Sequence, residues 1–419
     1  MEALQVQKVK DEIRETFKKV NLNECLTCGT CSSGCPVTGI PGVEGLDTRK
    51  VIRMLAYGMV DEVVDSKFPW VCTQCGRCNI ACPMKIDINY LMKKMKSLRD
   101  RDKVPGVLHK GTLQVLKSGN NLGIPKDDYL ENMIDIGREW AGEEGEELAL
   151  EGFEGFKTPI DVVGAEYLFF PNSKEVGVDY EDMQWWWKIF HNSGCTWTMP
   201  SEGWESVDWG LFTGNDEASK KIAQYKVDNA KKLKVKYIIA PDCGGGSLGF
   251  RINYENYFKE ELNKAGIELV YLYDVLIRFI KEGRIKVDKS RHPDPVTYHD
   301  PCKHGRELER LYGKPYYDEA RWILDQCCES FIEAYPCKIN NYCCGGGGGA
   351  WAGPYNDEKI AYGRMKAQQY SEAKAKGAKV IVTSCSNCRD MFMKAIVPHY
   401  KLDMEVKYIW QVVAEAMVL

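Results

Sequence analysis

At 419 residues, with 56 Lys and Arg against 60 Asp and Glu, the chain has room for two or three domains and is nearly charge-balanced. That balance argues against the concentrated basic face of a nucleic-acid binder, and no apolar run nears the roughly 18 residues that span a bilayer. Eighteen cysteines without a basic, apolar and small-residue leader argue against a secreted disulfide scaffold. They fit a reducing cytoplasm, where thiolates stay free to bind metal.

In chain order, Val6, Val9, Ile13, Phe17 and Val20 recur at helical spacing and predict an amphipathic helix. Two copies of one cysteine pattern follow: Cys25, Cys28, Cys31 and Cys35 before Pro36, then Cys72, Cys75, Cys78 and Cys82 before Pro83. Each reads C-x2-C-x2-C-x3-C-P, the thiolate spacing that wraps a 4Fe–4S cube. Three close thiolates cap three corners of a cube, and the fourth cannot reach back to the same one. By that rule Cys25, Cys28, Cys31 and Cys82 hold one cubane, and Cys72, Cys75, Cys78 and Cys35 the other. Zinc knuckles also use C-x2-C pairs, but zinc does not explain a doubled fourfold run with proline after each last cysteine.

Between the runs a helix opens at Asp47-Thr48, with Val51, Ile52, Leu55 and Met59 on its apolar side, and Asp87 caps a second helix from Ile88 to Leu98. Residues 1–100 are therefore expected to form a mostly helical two-cluster ferredoxin-like domain. Residues 101–160 turn glycine-rich and acidic, as in Gly142-Glu-Glu-Gly-Glu-Glu, and read as a surface connector.

The remainder repeats itself. Tyr167-Leu-Phe-Phe-Pro-Asn172 parallels Thr297-Tyr-His-Asp-Pro-Cys302, and the strand before Cys243 parallels Val380-Ile-Val382 before Cys385. The expected class is α+β overall, with two duplicated α/β lobes at residues 161–290 and 291–419. Cys302 and Cys385 then fall at strand C-termini, where such layouts place cofactors.

Five cysteines of the last lobe follow another logic: Cys302, the adjacent pair Cys343-Cys344, and Cys385-x2-Cys388. Adjacent cysteines diverge and suit a larger assembly in which one thiolate bridges two irons. Gly345 to Gly349 removes five side chains beside the pair, and Gly345 and Gly346 are candidates for a close approach of cofactor or substrate.

Here the sequence resembles the cysteine–cysteine–glycine (CCG) domain family, whose pattern is C, then CCG, then C-x2-C. Two ferredoxin motifs fused to two such lobes is the layout of the heterodisulfide reductase D-type subunit. The resemblance implies that Cys302, Cys343, Cys344, Cys385 and Cys388 ligate a noncubane 4Fe–4S cluster that opens disulfides. The alternative is an ordinary cube using four of the five thiolates. In the first lobe Asn172 stands where Cys302 stands, no Cys-Cys pair occurs, and only Cys243 remains of the last pair. That lobe is expected to be empty. This asymmetry is similar to subunits of sulfate-reducer membrane redox complexes.

Further candidates are Cys195, just before an aromatic-rich strand, and His299 and His304, which flank Cys302 and could donate protons to a leaving thiolate. The bland reading of Cys195 is a small buried hydrophobe. The Trp185-Trp186-Trp187 run reads as packing. No G-x-G-x-x-G follows a strand, so flavin or nicotinamide would sit on another subunit.

The expected function is an iron–sulfur oxidoreductase subunit that passes electrons through two cubanes to a noncubane cluster, which reduces or forms a disulfide or trisulfide. A conduit without its own substrate is the other reading. Expected partners are a membrane cytochrome b-type subunit or a flavoprotein, and a sulfur substrate that a small carrier protein could hold. The expected location is the cytoplasm, at the inner face of the membrane through partner subunits.

Overall fold

The computed structural model describes residues 2–143 and 148–419, and side chains from residue 11 onward. Val6 and Val9 of the opening helix and residues 144–147 of the acidic run lie outside the described side chains. The chain is α+β: a helical N-terminal part followed by two small parallel sheets wrapped in helices.

The N-terminal part opens on the helix Glu2–Lys19. Asp47 caps the helix Thr48–Ala56 by accepting from Lys50 N, and buries Val51, Ile52 and Leu55 beneath it. Met59 lies past that helix and is 38% exposed. Asp87 likewise caps Ile88–Leu98, accepting from Tyr90 N at 3.0 Å. The stretch read as a connector carries two helices, Gly106–Ser118 and Lys126–Ala141. Tyr129, Met133, Gly137 and Trp140 form the buried stripe of the latter.

The first sheet holds β1 (Tyr167–Leu168), β2 (Trp197–Thr198), β3 (Tyr237–Ile239) and β4 (Glu268–Val270), all parallel in the order β2-β1-β3-β4. The hairpin-like pair β5 (Lys286–Val287) and β9 (Met417–Val418) ties the C-terminus to the link between lobes. The second sheet holds β6 (Val296–His299), β7 (Val380–Thr383) and β8 (Glu405–Tyr408) in that order, also parallel. Phe331 adds a parallel bridge to Val296, on the side where β2 lies against β1 in the first sheet. The two sheets therefore share one topology.

The repetition extends to detail. After β3 a helix runs into a π-helical turn at Tyr254–Phe258; after β7 another runs into a π-helical turn at Phe392–Ile396. The helix after β4 starts with a box between Tyr271 and Asp274, and the helix after β8 with one between Tyr408 and Gln411. Continuous burial of Val380, Ile381, Val382 and Thr383 suits a strand covered on both faces.

The lobes close on a shared aromatic core. Trp186 stacks on Trp410 with centroids 5.7 Å apart, and Trp187, Trp197 and Trp204 are buried around it. The tryptophan concentration is interior packing, most of it within the first lobe and the segment before it, where each ring removes a large apolar area from water.

Candidate metal centres

The two ferredoxin-type loops have the same backbone. Thr27 and Gly29 in the first, and Gln74 and Gly76 in the second, take positive φ of 56°, 86°, 52° and 72° at matching positions. Left-handed residues turn neighbouring amides inward, the geometry of an anion-binding nest. Cys25, Cys28 and Cys31 line one cavity together with Cys82, while Cys72, Cys75 and Cys78 line a second with Cys35. Each cavity thus gathers three cysteines of one run and the last cysteine of the other.

Burial pushes the Cys31 thiol up to about 11 and the Cys35 thiol up to about 12. Thiols this reluctant to ionise become thiolates when a cation compensates them, so filling the cavities with iron releases protons. Four convergent sulfurs around each cavity are the donor set of a 4Fe–4S cube.

The five cysteines of the second lobe also converge. Cys302 follows β6, Cys385 follows β7, and Cys388 lies in the helix Ser386–Met391. Cys344 Sγ lies 3.2 Å from Cys388 Sγ. Contacts with Cys302, Cys344 and Cys75 push the Cys343 thiol well up, and contacts with Cys343 and Cys388 push Cys344 well down. These opposite shifts have one cause: one proton is shared among sulfurs too close for all to ionise. Cys75 belongs to the second cavity, so two sulfur sets meet at Cys343.

The glycine run is what permits this meeting. A Cβ on Gly347 would lie 2.5 Å from Thr73 O, and one on Gly348 2.5 Å from Cys72 O. The backbone that approaches these glycines is the second ferredoxin loop. Gly345 N donates to Cys343 Sγ at 3.2 Å and Gly346 N to Cys344 Sγ at 3.4 Å. The two glycines act on the sulfurs through their amides.

Cations that the sequence did not single out ring these sulfurs. Lys96 is wholly buried, donates to Gly348 O at 2.8 Å and faces Cys72. Lys303 donates to Gln74 O, and Arg306 donates to Cys75 O at 2.9 Å. Lys366, also wholly buried, donates to Asn341 Oδ1 at 2.5 Å and Gln369 Oε1 at 2.7 Å and feels the charge of Asp300 first and then of Cys344, Cys388 and Cys343. Burial pushes the amines of Lys96 and Lys366 down, to about 8 and about 7, and a thiolate-ligated cluster beside them would favour their charged forms. Only Lys303 had a sequence cue, its place beside Cys302.

His299 joins the site: its ring nitrogen and the sulfurs of Cys344 and Cys388 lie within 4.8 Å of one another. Burial, then Lys366, pushes its imidazole down to about 4. His304 points elsewhere, to Tyr273 OH at 3.4 Å and Ser384 Oγ at 3.5 Å. Cys195 is not brought to the other thiols; its Sγ lies 3.7 Å from Phe190 O, and burial pushes it up to about 11. Cys243 comes to the edge of the five: after burial, Cys385 is what most raises its thiol, and the adjacent Gly244 N donates to Cys385 Sγ at 3.3 Å. Asn172, in the place of Cys302, donates to Ser386 Oγ at 3.1 Å.

The 4Fe-4S dicluster domain family matches residues 21–86, and the cysteine-rich (CCG) domain family matches residues 208–247 and 296–393. Over 434 aligned residues the chain is 30% identical to the D-type subunit of the dihydromethanophenazine:CoB–CoM heterodisulfide reductase of Methanosarcina mazei, covering 95% of this chain and 94% of that protein. The corresponding protein of Methanosarcina acetivorans is 25% identical with the same coverage. An Hdr-like menaquinol oxidoreductase iron–sulfur subunit of Archaeoglobus fulgidus is 23% identical over 96% of this chain and 80% of its own length. The chain binds 4Fe–4S, no described helix is long and apolar enough to cross a membrane, and the chain belongs to the D-type heterodisulfide reductase family of CCG iron–sulfur oxidoreductase subunits.

Proposed function

We propose that this chain passes electrons through cubanes on Cys25, Cys28, Cys31 and Cys82 and on Cys35, Cys72, Cys75 and Cys78 to a noncubane cluster on Cys302, Cys343, Cys344, Cys385 and Cys388, where a disulfide or trisulfide is reduced or formed. The observation that carries this reading is the approach of Cys343 Sγ to Thr73 Oγ1 at 3.3 Å, on the same cavity lining as Cys75, which sets the last sulfur set beside the second cavity. The chain's own contribution is preorganisation. Gly345 and Gly346 amides and the Gly244 amide donate to three of the five sulfurs, and such bonds favour the reduced, more negative state. His299 lies beside Cys344 and Cys388, where its neutral imidazole can hydrogen-bond a sulfur.

The Methanosarcina relatives are heterodisulfide reductase subunits and the Archaeoglobus relative is a menaquinol oxidoreductase subunit. By that analogy the electron partner is a membrane cytochrome b-type subunit or a flavoprotein, and the chain works at the inner face of the membrane. A sulfur compound, free or on a small carrier protein, is the substrate.

The test is anaerobic chemical analysis followed by freeze-quenched EPR. Three four-iron clusters require about 12 iron atoms per chain, and addition of a thiol should change the spectrum of one of them. The conduit reading draws on the burial of Cys343, Cys344 and Cys388, each at most 3% exposed. A full complement of iron with a thiol-insensitive spectrum would select the conduit; a zinc-only protein would end both.

Lys366 offers a quantitative check. Replacing a buried cation beside three sulfurs makes electron addition harder. Lys366→Met is expected to lower the potential of the thiol-sensitive cluster by on the order of 100 mV, the size of a unit charge roughly 7 Å away at an effective dielectric of about 20. Redox titration monitored by EPR reads the shift, and the two cubane potentials should move less.

A further inference from the structure

We propose that the exposed rim of the first cavity is the docking face for an electron-carrying protein whose redox centre is ringed by carboxylates. The proposal rests on the reading that Cys25, Cys28, Cys31 and Cys82 hold a cubane, and it adds the surface and the charge of the partner.

Three observations meet there. First, Cys28 is exposed, whereas Cys75 at the matching position of the second loop is buried. The first cavity is the one that faces water. Second, Leu26 and Tyr57 are each 66% exposed, among the most exposed large apolar side chains of the chain. They are joined through Arg53, whose Nη1 donates to Thr27 Oγ1 at 3.3 Å and whose Nη2 donates to Tyr57 OH at 2.7 Å. The Arg53 guanidinium also lies over the Tyr57 ring, 5.1 Å from its centroid.

Third, no described carboxylate pairs with the guanidiniums on this rim. Among the described residues neither Arg49, which lines the cavity, nor Arg53 lies in an ion pair. Other arginines of the chain do: Arg99 pairs with Asp65, Arg310 with Asp87 and Glu307, and Arg321 with Asp300 and Glu333. Glu24 is the exposed carboxylate closest in sequence to the rim, and it does not reach either guanidinium within ion-pair distance.

A small apolar patch flanked by unpaired guanidiniums beside an exposed ligand is what a transient redox encounter needs. Electrostatics sets the encounter rate, and the apolar contact of Leu26 and Tyr57 orients the partner without holding it. A second copy of this chain docked rim to rim is disfavoured by the like charge of the two rims.

The experiment uses the full chain with its iron in place and, as probe, a reduced plant-type 2Fe–2S ferredoxin of strongly acidic surface. Titanium(III) citrate serves as a small direct reductant. Arg53→Glu is expected to lower the second-order rate of reduction by the ferredoxin about tenfold or more at about 20 mM salt, and the difference should shrink at about 500 mM. Tyr57→Ser, outside the cavity lining, should lower the same rate at both salt concentrations. Iron content and the titanium(III) rate should stay unchanged in both variants. Equal ferredoxin rates in wild type and both variants would overturn the docking face. So would Arg53-dependent binding to phosphatidylglycerol vesicles with unaltered ferredoxin rates, which would assign the rim to a membrane surface. Absence of iron at the first cavity would instead sink the cubane reading on which the face depends.

Discussion

Cys82→Ser is expected to empty the cavity that carries Cys25, Cys28 and Cys31, although Cys82 belongs to the other cysteine run. The side chain lines that first cavity together with Pro83 and Met84, away from Cys72, Cys75 and Cys78. Cys35→Ser should do the converse and empty the second cavity. Each variant should lose about four iron atoms per chain, because three thiolates and a hard, high-pKa hydroxyl hold a cube poorly. The two losses should differ in kind. Cys82→Ser should leave the sulfur-active centre intact but unreachable by protein reductants at the exposed rim. Cys35→Ser should cut the relay at its inner step, beside Cys343, with the outer signal preserved. EPR of dithionite-reduced samples, with iron and sulfide analysis, distinguishes the four outcomes. If Cys82→Ser removed the second signal and kept the first, the crossed ligand sets would be wrong.

The loops behind that prediction can be read from sequence because their information is local. A cube is about as wide as a few residues are long, so C-x2-C-x2-C-x3-C-P carries its own geometry. The duplicated sheets are legible for a similar reason: Tyr167 to Asn172 and Thr297 to Cys302 each end a buried strand at a proline. The helix Lys126–Ala141 is concealed in the sequence, though Tyr129, Met133, Gly137 and Trp140 mark its buried stripe. Gly137 hides it, and the structure gives the reason for that glycine: a Cβ there would collide with Thr158 Oγ1. The neighbouring acidic run extends the impression of a loop.

The charge around the sulfurs is not legible at all. Lys96 and Lys366 lie in ordinary amphipathic helices, where a lysine normally reads as solvated. What buries them is non-local: Gly348 O for one, Asn341 and Gln369 for the other. His299 and His304 likewise look equivalent beside Cys302. The first ends β6 and faces Cys344 and Cys388, while the second lies beyond the turn and faces Tyr273 of the other lobe. The glycine run reads in sequence as space for cofactor or substrate. Its middle is instead filled by the Cys72-Thr73 backbone, a contact that depends on how a distant domain docks.

Cys343→Ala is expected to abolish sulfur chemistry while leaving both cubane signals in place. Cys343 is the member of the five whose thiol is influenced by the most sulfurs, those of Cys302, Cys344 and Cys75. Its Sγ also meets Thr73 Oγ1 at 3.3 Å and the Gly345 amide at 3.2 Å, so no larger side chain can take its place without moving the second ferredoxin loop. Removing it should cost about four iron atoms per chain and reduce turnover with a disulfide or trisulfide to background, a loss of roughly a thousandfold or more where the third centre is the reacting one. Cys327 and Cys328 supply the control, since both are buried in the core of the same lobe and contact none of the five. Cys328→Ala should cost only the packing of one sulfur, about 1 kcal/mol, and keep all the iron. A Cys343→Ala protein that retained its iron and its turnover would mean that four thiolates suffice and that the adjacent pair is not what holds the reactive centre. In that case the close approach of Cys343 to Cys75 would serve only to pack one domain against the other.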